Sequence, residues 1–446
     1  MKSLLRLVFC VLVLAPGGAL ALEIQPVTSP GGIKAWLVED HRNPILSLNF
    51  SFRGGESADP KGKEGRARLV SGLLDEGAGD LDSQAFQKAL ADNSITIRFD
   101  SRSDRFSGRM VTLTETRQKA VDLLRLALTE PRFDPEPVER IRAQVVASLR
   151  RDLQSPRTIA GRTWWATSFP DHPYGRSGDG TLESVAAVTA EDLRAFTDAV
   201  LAREDLVVGA VGDINAEELG KLLDTVFGGL PEASKAPAIE DTVPVHTGET
   251  IVVDLKIPQS VVVFGQAGIE HEDPDWYTAN LLNRVMAGGF GSRLMEEIRE
   301  KRGLVYGVWA YLLPLDHSPM IMGGLASQNA RVAEAVALVR QEWERMAETG
   351  PTQEELDDAR TYLLGSFPLS LTDSDGIASI LVSLQENDRP IDYLDRLEEI
   401  YGGITLADAR RVAAKLYRAK ELTVVVAGQP EGIEPAGSAS APASGG

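Results

Sequence analysis

At 446 residues the chain exceeds what one ordinary hydrophobic core supports, so two or more domains are expected. Hydrophobic residues make up 43% and charged residues 25%, the balance of a globular protein rather than a disordered or membrane-embedded one. The formal charge of −19 argues against a nucleic-acid partner, because phosphate binding needs a basic surface; the acidic surplus serves solubility instead.

Residues 1–21 read as a secretory signal peptide. Lys2 and Arg6 give a basic start, Leu7 to Ala15 a short apolar run, and Ala19-Leu20-Ala21 a small-x-small cleavage site. Cleavage after Ala21 implies a secreted, periplasmic protein. The alternative is a buried N-terminal helix. The run is too short to span a bilayer, and no later one reaches transmembrane length, so no transmembrane segment is expected. Cys10 is the one cysteine and falls inside the leader, so the mature chain has no disulfide, thiol nucleophile or cysteine-based zinc site.

Ile33–Val38 and Ile45–Phe52 read as paired strands around Asp40-His41-Arg42-Asn43-Pro44, the second alternating as a half-buried strand does. Arg66–Asp75 and Ser83–Ala91 have helical spacing. A second strand pair is expected at Ile95–Phe99 and Arg105–Val111, then long helices at Arg117–Leu128 and Pro135–Leu153. The second half replays this order. Thr189 to Gly212 aligns with Thr405 to Gly428 without a gap, and Thr189, Asp192, Arg194, Leu206, Val208 and Gly212 recur as Thr405, Asp408, Arg410, Leu422, Val424 and Gly428. Both copies read as a capped helix, a turn and an apolar strand. A duplication implies two similar α/β domains, 22–230 and 251–430, joined by a proline-bearing linker at 231–250. The Gly-, Pro-, Ala- and Ser-rich tail, 431–446, is expected to be disordered.

Two segments carry candidate chemistry. In Gly65 to Gly77 the helix has Arg68, Ser71 and Gly72 where a metallopeptidase helix would set two histidines on one face and a glutamate to activate water. Arginine stays protonated and cannot ligate zinc, and glycine offers no donor. Taken alone, the segment reads equally as an amphipathic helix that never held a metal. The second segment, Gly288 to Tyr306, opens on a glycine-rich turn, continues as a charged helix ending at Gly303, and leads into a strand at Leu304–Leu312. A helix-to-strand corner would bring Arg299 and Tyr306 together, where a guanidinium and a hydroxyl could bind the carbonyls of an extended peptide. A solvated helix-end arginine and a half-buried tyrosine are the plainer alternatives.

Gly288 to Ala310 resembles the C-terminal-domain signature of the insulinase/pitrilysin-type zinc peptidase family, in its short bacterial, mitochondrial-processing-peptidase-like branch. The residues that carry it are Ser292-Arg293-Leu294, Ile298-Arg299-Glu300 and Gly303-Leu304-Val305-Tyr306. The resemblance spans most of residues 22–431, including Gly65 to Gly77 and His172-Pro173-Tyr174-Gly175. It implies an α+β fold of two homologous α/β domains, each an antiparallel sheet covered by helices, closed like a clam. It also implies that Arg299 and Tyr306 bind substrate backbone. The family's His-x-x-Glu-His falls on Arg68, Ser71 and Gly72, and its distal glutamate falls within Val145-Val146-Ala147-Ser148-Leu149, which holds no acid. His41, His172, His246, His271 and His317 are scattered and form no ligand pair.

The expectation is therefore a non-catalytic subunit with no catalytic residue, metal site or cofactor of its own. Zinc is expected in a homologous partner chain, with this chain holding the peptide substrate through Arg299 and Tyr306. Two alternatives are a self-sufficient metalloendopeptidase with an unrecognised site, and a purely structural or peptide-binding core-type protein.

Overall fold

The computed structural model describes residues 22–434 and the backbone of 437–439; the expected leader lies outside the described residues. Strands β1 (Gln25–Thr28), β2 (Lys34–Glu39), β3 (Ile45–Arg53), β4 (Thr96–Ser101), β5 (Arg105–Leu113) and β6 (Val207–Gly212) form one sheet in the order β1-β2-β6-β3-β5-β4. Strands β7 (Thr250–Asp254), β8 (Gln259–Ala267), β9 (Val305–Leu313), β10 (Met320–Gln328), β11 (Thr423–Gly428) and β12 (Gly437–Ala439) form the other, in the order β12-β7-β11-β8-β10-β9. The two orders match strand for strand from β2 and β7 onward. Pairing is antiparallel except that β6 runs parallel to β2, and β11 parallel to β7, because the last strand of each half returns through a helix. In the second sheet β12 also lies parallel to β7.

The gapless repeat is the unit that closes each half. Thr189 caps the helix Ala190–Val200 and Thr405 caps Leu406–Leu416, each in a capping box completed by Asp192 or Asp408. A short turn then leads into β6 or β11, both buried.

Three expectations are corrected. The helix expected over Arg66–Asp75 stops at Ser71, and Gly72 to Leu74 continue as turns that lean back on Arg68 and Val70. The charged helix after Leu294 is wound as a π-helix over Met295–Glu300, with Lys301 N–H donating to the Glu296 carbonyl. The tail is not disordered throughout, since Gly437–Ala439 adds to the open edge of β7.

Each half lends one helix to the other's sheet. Pro156–Ser168 packs on β8 and β11, with Ile159, Ala160 and Trp164 buried among Ile251, Val263 and Val425, and Trp164 Nε1 donates to the Thr423 carbonyl at 3.2 Å. In return Ser374–Glu386 packs on β3 and β6, burying Ile377, Ala378 and Leu381 against Val38 and Val211. Glycines make room for both. A Cβ on Gly265 would lie 2.7 Å from the Trp164 ring, and one on Gly209 would lie 2.6 Å from the Ala378 carbonyl. The 231–250 linker ties in as well, through Val245 N–H to the Ser168 carbonyl and Thr242 N–H to the His317 carbonyl.

Polar contacts lock the junction. The Tyr174 hydroxyl donates to the buried Asp104 carboxylate at 2.8 Å and accepts from the His317 N–H at 3.1 Å. Arg105 pairs with Asp316 at 2.5 Å. The His172-Pro173-Tyr174-Gly175 stretch is thus a clasp between the halves. Glu56 lies beside it with no cation partner among the described residues, and burial, then Asp179 and Asp59, push its carboxyl up to about 7. The folded state binds this proton more tightly than the unfolded chain does, so stability falls as pH rises from the ordinary carboxyl range through about 7. Glu56→Gln is expected to leave stability unchanged near pH 4 and to raise it at pH 8 by about 2–3 kcal/mol. Urea unfolding at the two pH values checks this, and equal effects at both would contradict it.

Candidate functional site

The helix Arg66–Ser71 and the long helix Pro135–Asp152 meet over a cavity of about 400 Å³. Arg68, Ser71 and Gly72 line one side, and Ile141, Val145, Ser148 and Leu149 the other. The structure therefore brings together the two segments in which the sequence lacks metal ligands. Arg68 is exposed and reaches toward Asp179 at 3.9 Å, and Ser71 turns back to donate to the Arg68 carbonyl at 2.9 Å. A Cβ on Gly72 would lie 3.1 Å from Ile141 Cγ2, so a side chain at 72 would press on Ile141 and require it to give way by a few tenths of an ångström. Asp75 is the one buried acid of the lining, and Arg98 engages it at 2.9 Å. A guanidinium, a backbone-bound hydroxyl, a glycine and a methyl group do not fit a zinc ion.

Gly72→His is expected to overpack against Ile141 and cost about 1–3 kcal/mol. Adding Ile141→Ala is expected to recover part of that loss. The triple change Arg68→His, Ser71→Glu, Gly72→His is expected to bind no stoichiometric zinc, because the helix ends at Ser71 and residues 145–149 hold no acid. Of the acids in the lining, Asp75 is engaged by Arg98, while Asp152 and Asp179 lie at its rim. Metal content after dialysis checks this, and one tightly held zinc per chain would contradict it.

Arg299 and Tyr306 come together at the far end of the second sheet. The π-helical turn places Arg299 at its last positions, Gly303 takes a left-handed φ of 58° and donates to the Arg299 carbonyl, and β9 begins two residues later. The Arg299 guanidinium carbon lies 5.4 Å from the centre of the Tyr306 ring, a cation–π distance. Tyr306 is 92% exposed, so its hydroxyl is free to meet a ligand and is not a half-buried core group. Arg299 also lies 4.9 Å from the Phe290 ring, which is 74% exposed. Sequence reasoning missed Phe290; its signal was a large apolar residue between Gly289 and Gly291, both at positive φ, in a turn that buries nothing. An arginine within cation–π distance of two exposed aromatic rings, one of them at the start of the edge strand β9, is equipped to grip an extended backbone and its side chains.

Arg293, six residues before Arg299, does different work. Its side chain is buried and forks onto Glu355 at 2.6 and 2.7 Å, holding the helix Gln353–Ser366 to the turn. The Ser-Arg-Leu element is thus structural, and the Arg and Tyr that follow it are displayed.

A duplicated sandwich with an erased metal position and a presented Arg/Tyr pair defines a peptidase scaffold without its metal chemistry. Residues 187–363 match the family described as Peptidase M16 inactive domain. A Helicobacter pylori protein named non-peptidase homolog YmxG is 30% identical over 334 residues, 74% of this chain and 77% of that one. An uncharacterized zinc protease of Streptomyces coelicolor is 27% identical, over 80% of this chain and 76% of that one. The crystal structure of a peptidase M16 inactive domain from Pseudomonas fluorescens superposes with a TM-score of 0.86 at 26% identity, covering 93% of this chain and 100% of that one. The chain belongs to the M16 peptidase family, and it is a homologue that lacks the residues of the metal site.

Proposed function

We propose that this chain is the non-catalytic, substrate-binding subunit of a heterodimeric zinc metallopeptidase. A separate chain of the same fold, with an intact His-x-x-Glu-His, carries the zinc. This chain closes the chamber and holds the peptide extended, with Arg299 donating to backbone carbonyls, Tyr306 offering its hydroxyl, and Phe290 packing on a substrate side chain. The complex works in the periplasm, to which the leader of residues 1–21 directs it. No helix among the described residues is long and apolar enough to cross a membrane.

The observation that carries this reading is the contrast between the two segments. At the expected metal positions stand a guanidinium, a hydroxyl turned onto the Arg68 carbonyl and a glycine crowded by Ile141. The Arg/Tyr pair is whole, with Tyr306 92% exposed and the Arg299 side chain half-buried at 28%, 3.5 Å from Glu300. A chain kept only as a structural spacer has no use for Phe290 and Tyr306 in solvent on either flank of the Arg299 turn, where two such rings invite unwanted association. Positioning alone contributes to rate by holding the scissile bond in line with the attacking water of another chain. The test is sedimentation of this chain mixed with an M16 chain from the same genome that retains the zinc motif. A 1:1 complex is expected, and two species sedimenting independently would contradict the proposal.

A further inference from the structure

The helix Trp276–Ala287 runs directly into the glycine turn that carries Phe290, and Arg284 is the cation of its last turn. The Arg284 guanidinium carbon lies 3.4 Å from the centre of the Tyr362 ring, on the neighbouring helix Gln353–Ser366, and Tyr362 is 51% exposed. The turn makes room for this arginine. A Cβ on Gly288 would collide with the Arg284 side chain, and one on Gly289 would lie 3.5 Å from Nη1. Phe290 follows in the chain, and Arg299 lies against its ring. One turn therefore separates the Arg284–Tyr362 stack from the Arg299/Tyr306 pair.

The cations around it have partners. Arg293 is forked onto Glu355, Lys301 and Arg302 hold Glu297, and Arg360 pairs with Asp357. Arg284 is different. Among the described residues it has no carboxylate within 4 Å and no hydrogen-bond acceptor, yet none of its nitrogens is closed off from solvent. Stacking occupies the flat face of a guanidinium and leaves its N–H edge unused, and that edge is what takes a carboxylate in a fork. The surrounding sequence does not supply one. Residues 276–292 hold no acid, Glu296 and Glu297 are taken by Lys301 and Arg302, and Glu300 stands beside Arg299 at 3.5 Å. Asp358, one turn before Tyr362, stays beyond pairing distance.

We propose that Arg284 is a specificity-determining residue that takes an acidic side chain of the peptide held at Arg299 and Tyr306, an inference that rests on the reading of this chain as a peptide holder. Tyr362 is the positioning residue, since its ring fixes the plane of the guanidinium. A Glu or Asp side chain brings the planar, charged, two-oxygen acceptor that the free edge matches, whereas Gln of the same length brings one oxygen and no charge. The chain thus selects extended peptides with a carboxylate a short step from the side chain that packs on Phe290. A formal charge of −19 draws cations to the molecule as a whole, so a preference for an acid has to come from a local site such as this one.

Isothermal titration of the purified chain tests it with two sets of acetylated, C-terminally amidated heptapeptides built around one Phe. In the first set a single Glu takes each other position in turn, and in the second Gln replaces it, so a side chain carries the only carboxylate. At one or two neighbouring positions the Glu peptide is expected to bind more tightly than its Gln counterpart by about fivefold or more. Arg284→Gln is expected to remove that preference and to leave the Gln peptides bound as by the wild type. Tyr362→Leu keeps the charge without the stack and is expected to blunt the preference. Arg299→Ala is expected to weaken both sets alike, because it removes the grip on the backbone. Equal binding of Glu and Gln peptides at every position, or a Glu preference that survives Arg284→Gln, overturns this inference and leaves the peptide-holding reading in place. No binding of any peptide overturns both. If Arg284→Gln weakens both sets equally and lowers the unfolding temperature, the stack only staples the two helices together and the inference fails.

Discussion

Replacing Arg293 with alanine is expected to destabilise the chain by about 3–5 kcal/mol, the cost of stranding the other half of a buried ion pair. The Arg293 side chain is only 7% exposed and that of Glu355 is 29% exposed, so solvent screens the pair little. Arg293 makes three directed contacts: two to the Glu355 carboxylate, and one from Nη2 to the Gly350 carbonyl at 2.9 Å. Glu355 is also the third residue of the capping box that starts Gln353–Ser366, where it accepts from the Thr352 N–H at 2.7 Å. Burial alone would push its carboxyl up, but hydrogen bonds from Arg293 and Thr352 outweigh this and hold it below the ordinary carboxylate range. A depressed carboxyl contributes stability above its unfolded value and loses it as pH falls through the folded one, so the wild type is expected to weaken in acid by this route and Arg293→Ala to weaken less steeply. Arg293→Lys keeps the charge but not the fork, and is expected to recover only part of the loss. Arg293→Met with Glu355→Leu removes both charges and is expected to be milder than either single change. Urea midpoints check the series, and an Arg293→Ala loss below about 1 kcal/mol would mean the Ser-Arg-Leu element has no structural role.

In the reconstituted pair, Arg299→Ala is expected to lower kcat/KM on a peptide substrate by about 100-fold, the scale of a misplaced substrate at an otherwise intact centre. Tyr306→Phe keeps the ring over which Arg299 lies and removes only the hydroxyl, so its smaller loss isolates the hydrogen bond to the peptide. Phe290→Ala is expected to change the ranking of substrates by their side chains more than the rate on the best of them. Phe290 and Tyr306 project from the surface and Arg299 is half-buried beside Glu300, so the two aromatic changes are expected to leave the unfolding midpoint unchanged within about 0.5 kcal/mol and Arg299→Ala to shift it by no more than about 1 kcal/mol. A rate that falls only together with stability would point to a structural effect. Steady-state kinetics with the zinc-bearing subunit held constant separates the two.

Much of this was legible because it is local. Capping residues Thr189 and Thr405 mark the start of the closing helix in each half, and glycines at 212 and 428 end the strands that follow at φ of 137° and 154°. The blank metal positions and the Arg299–Tyr306 corner were likewise written in consecutive residues. What the sequence hid is long-range. Strand β3 alternates Leu46, Ser47, Leu48, Asn49, Phe50, Ser51, Phe52 and so reads as half-exposed, yet all seven residues are buried. Its polar face lies under a helix from more than 300 residues away, where Asn49 Nδ2 donates to the Asp375 carbonyl at 3.1 Å and to Ser379 at 2.8 Å. The exchange of helices leaves no trace in periodicity, because a helix buried on the wrong half has the same apolar spacing as one buried on its own. The early end of the helix at Ser71 was similarly masked, since Leu73 and Leu74 keep helical spacing and are buried while the backbone has already turned. Phe290 was overlooked because its exposure exists only in three dimensions, although its place between Gly289 and Gly291 hinted at it.

The central claim is that this chain performs no chemistry itself and completes the site of another. Hydrolysis of an unstructured peptide should be measured with this chain alone, with the zinc-bearing M16 subunit alone, and with the two together, each with and without chelator. The account predicts no cleavage by this chain alone, and strong chelator-sensitive cleavage only when both are present. Cleavage by this chain alone, abolished by chelator, would contradict it.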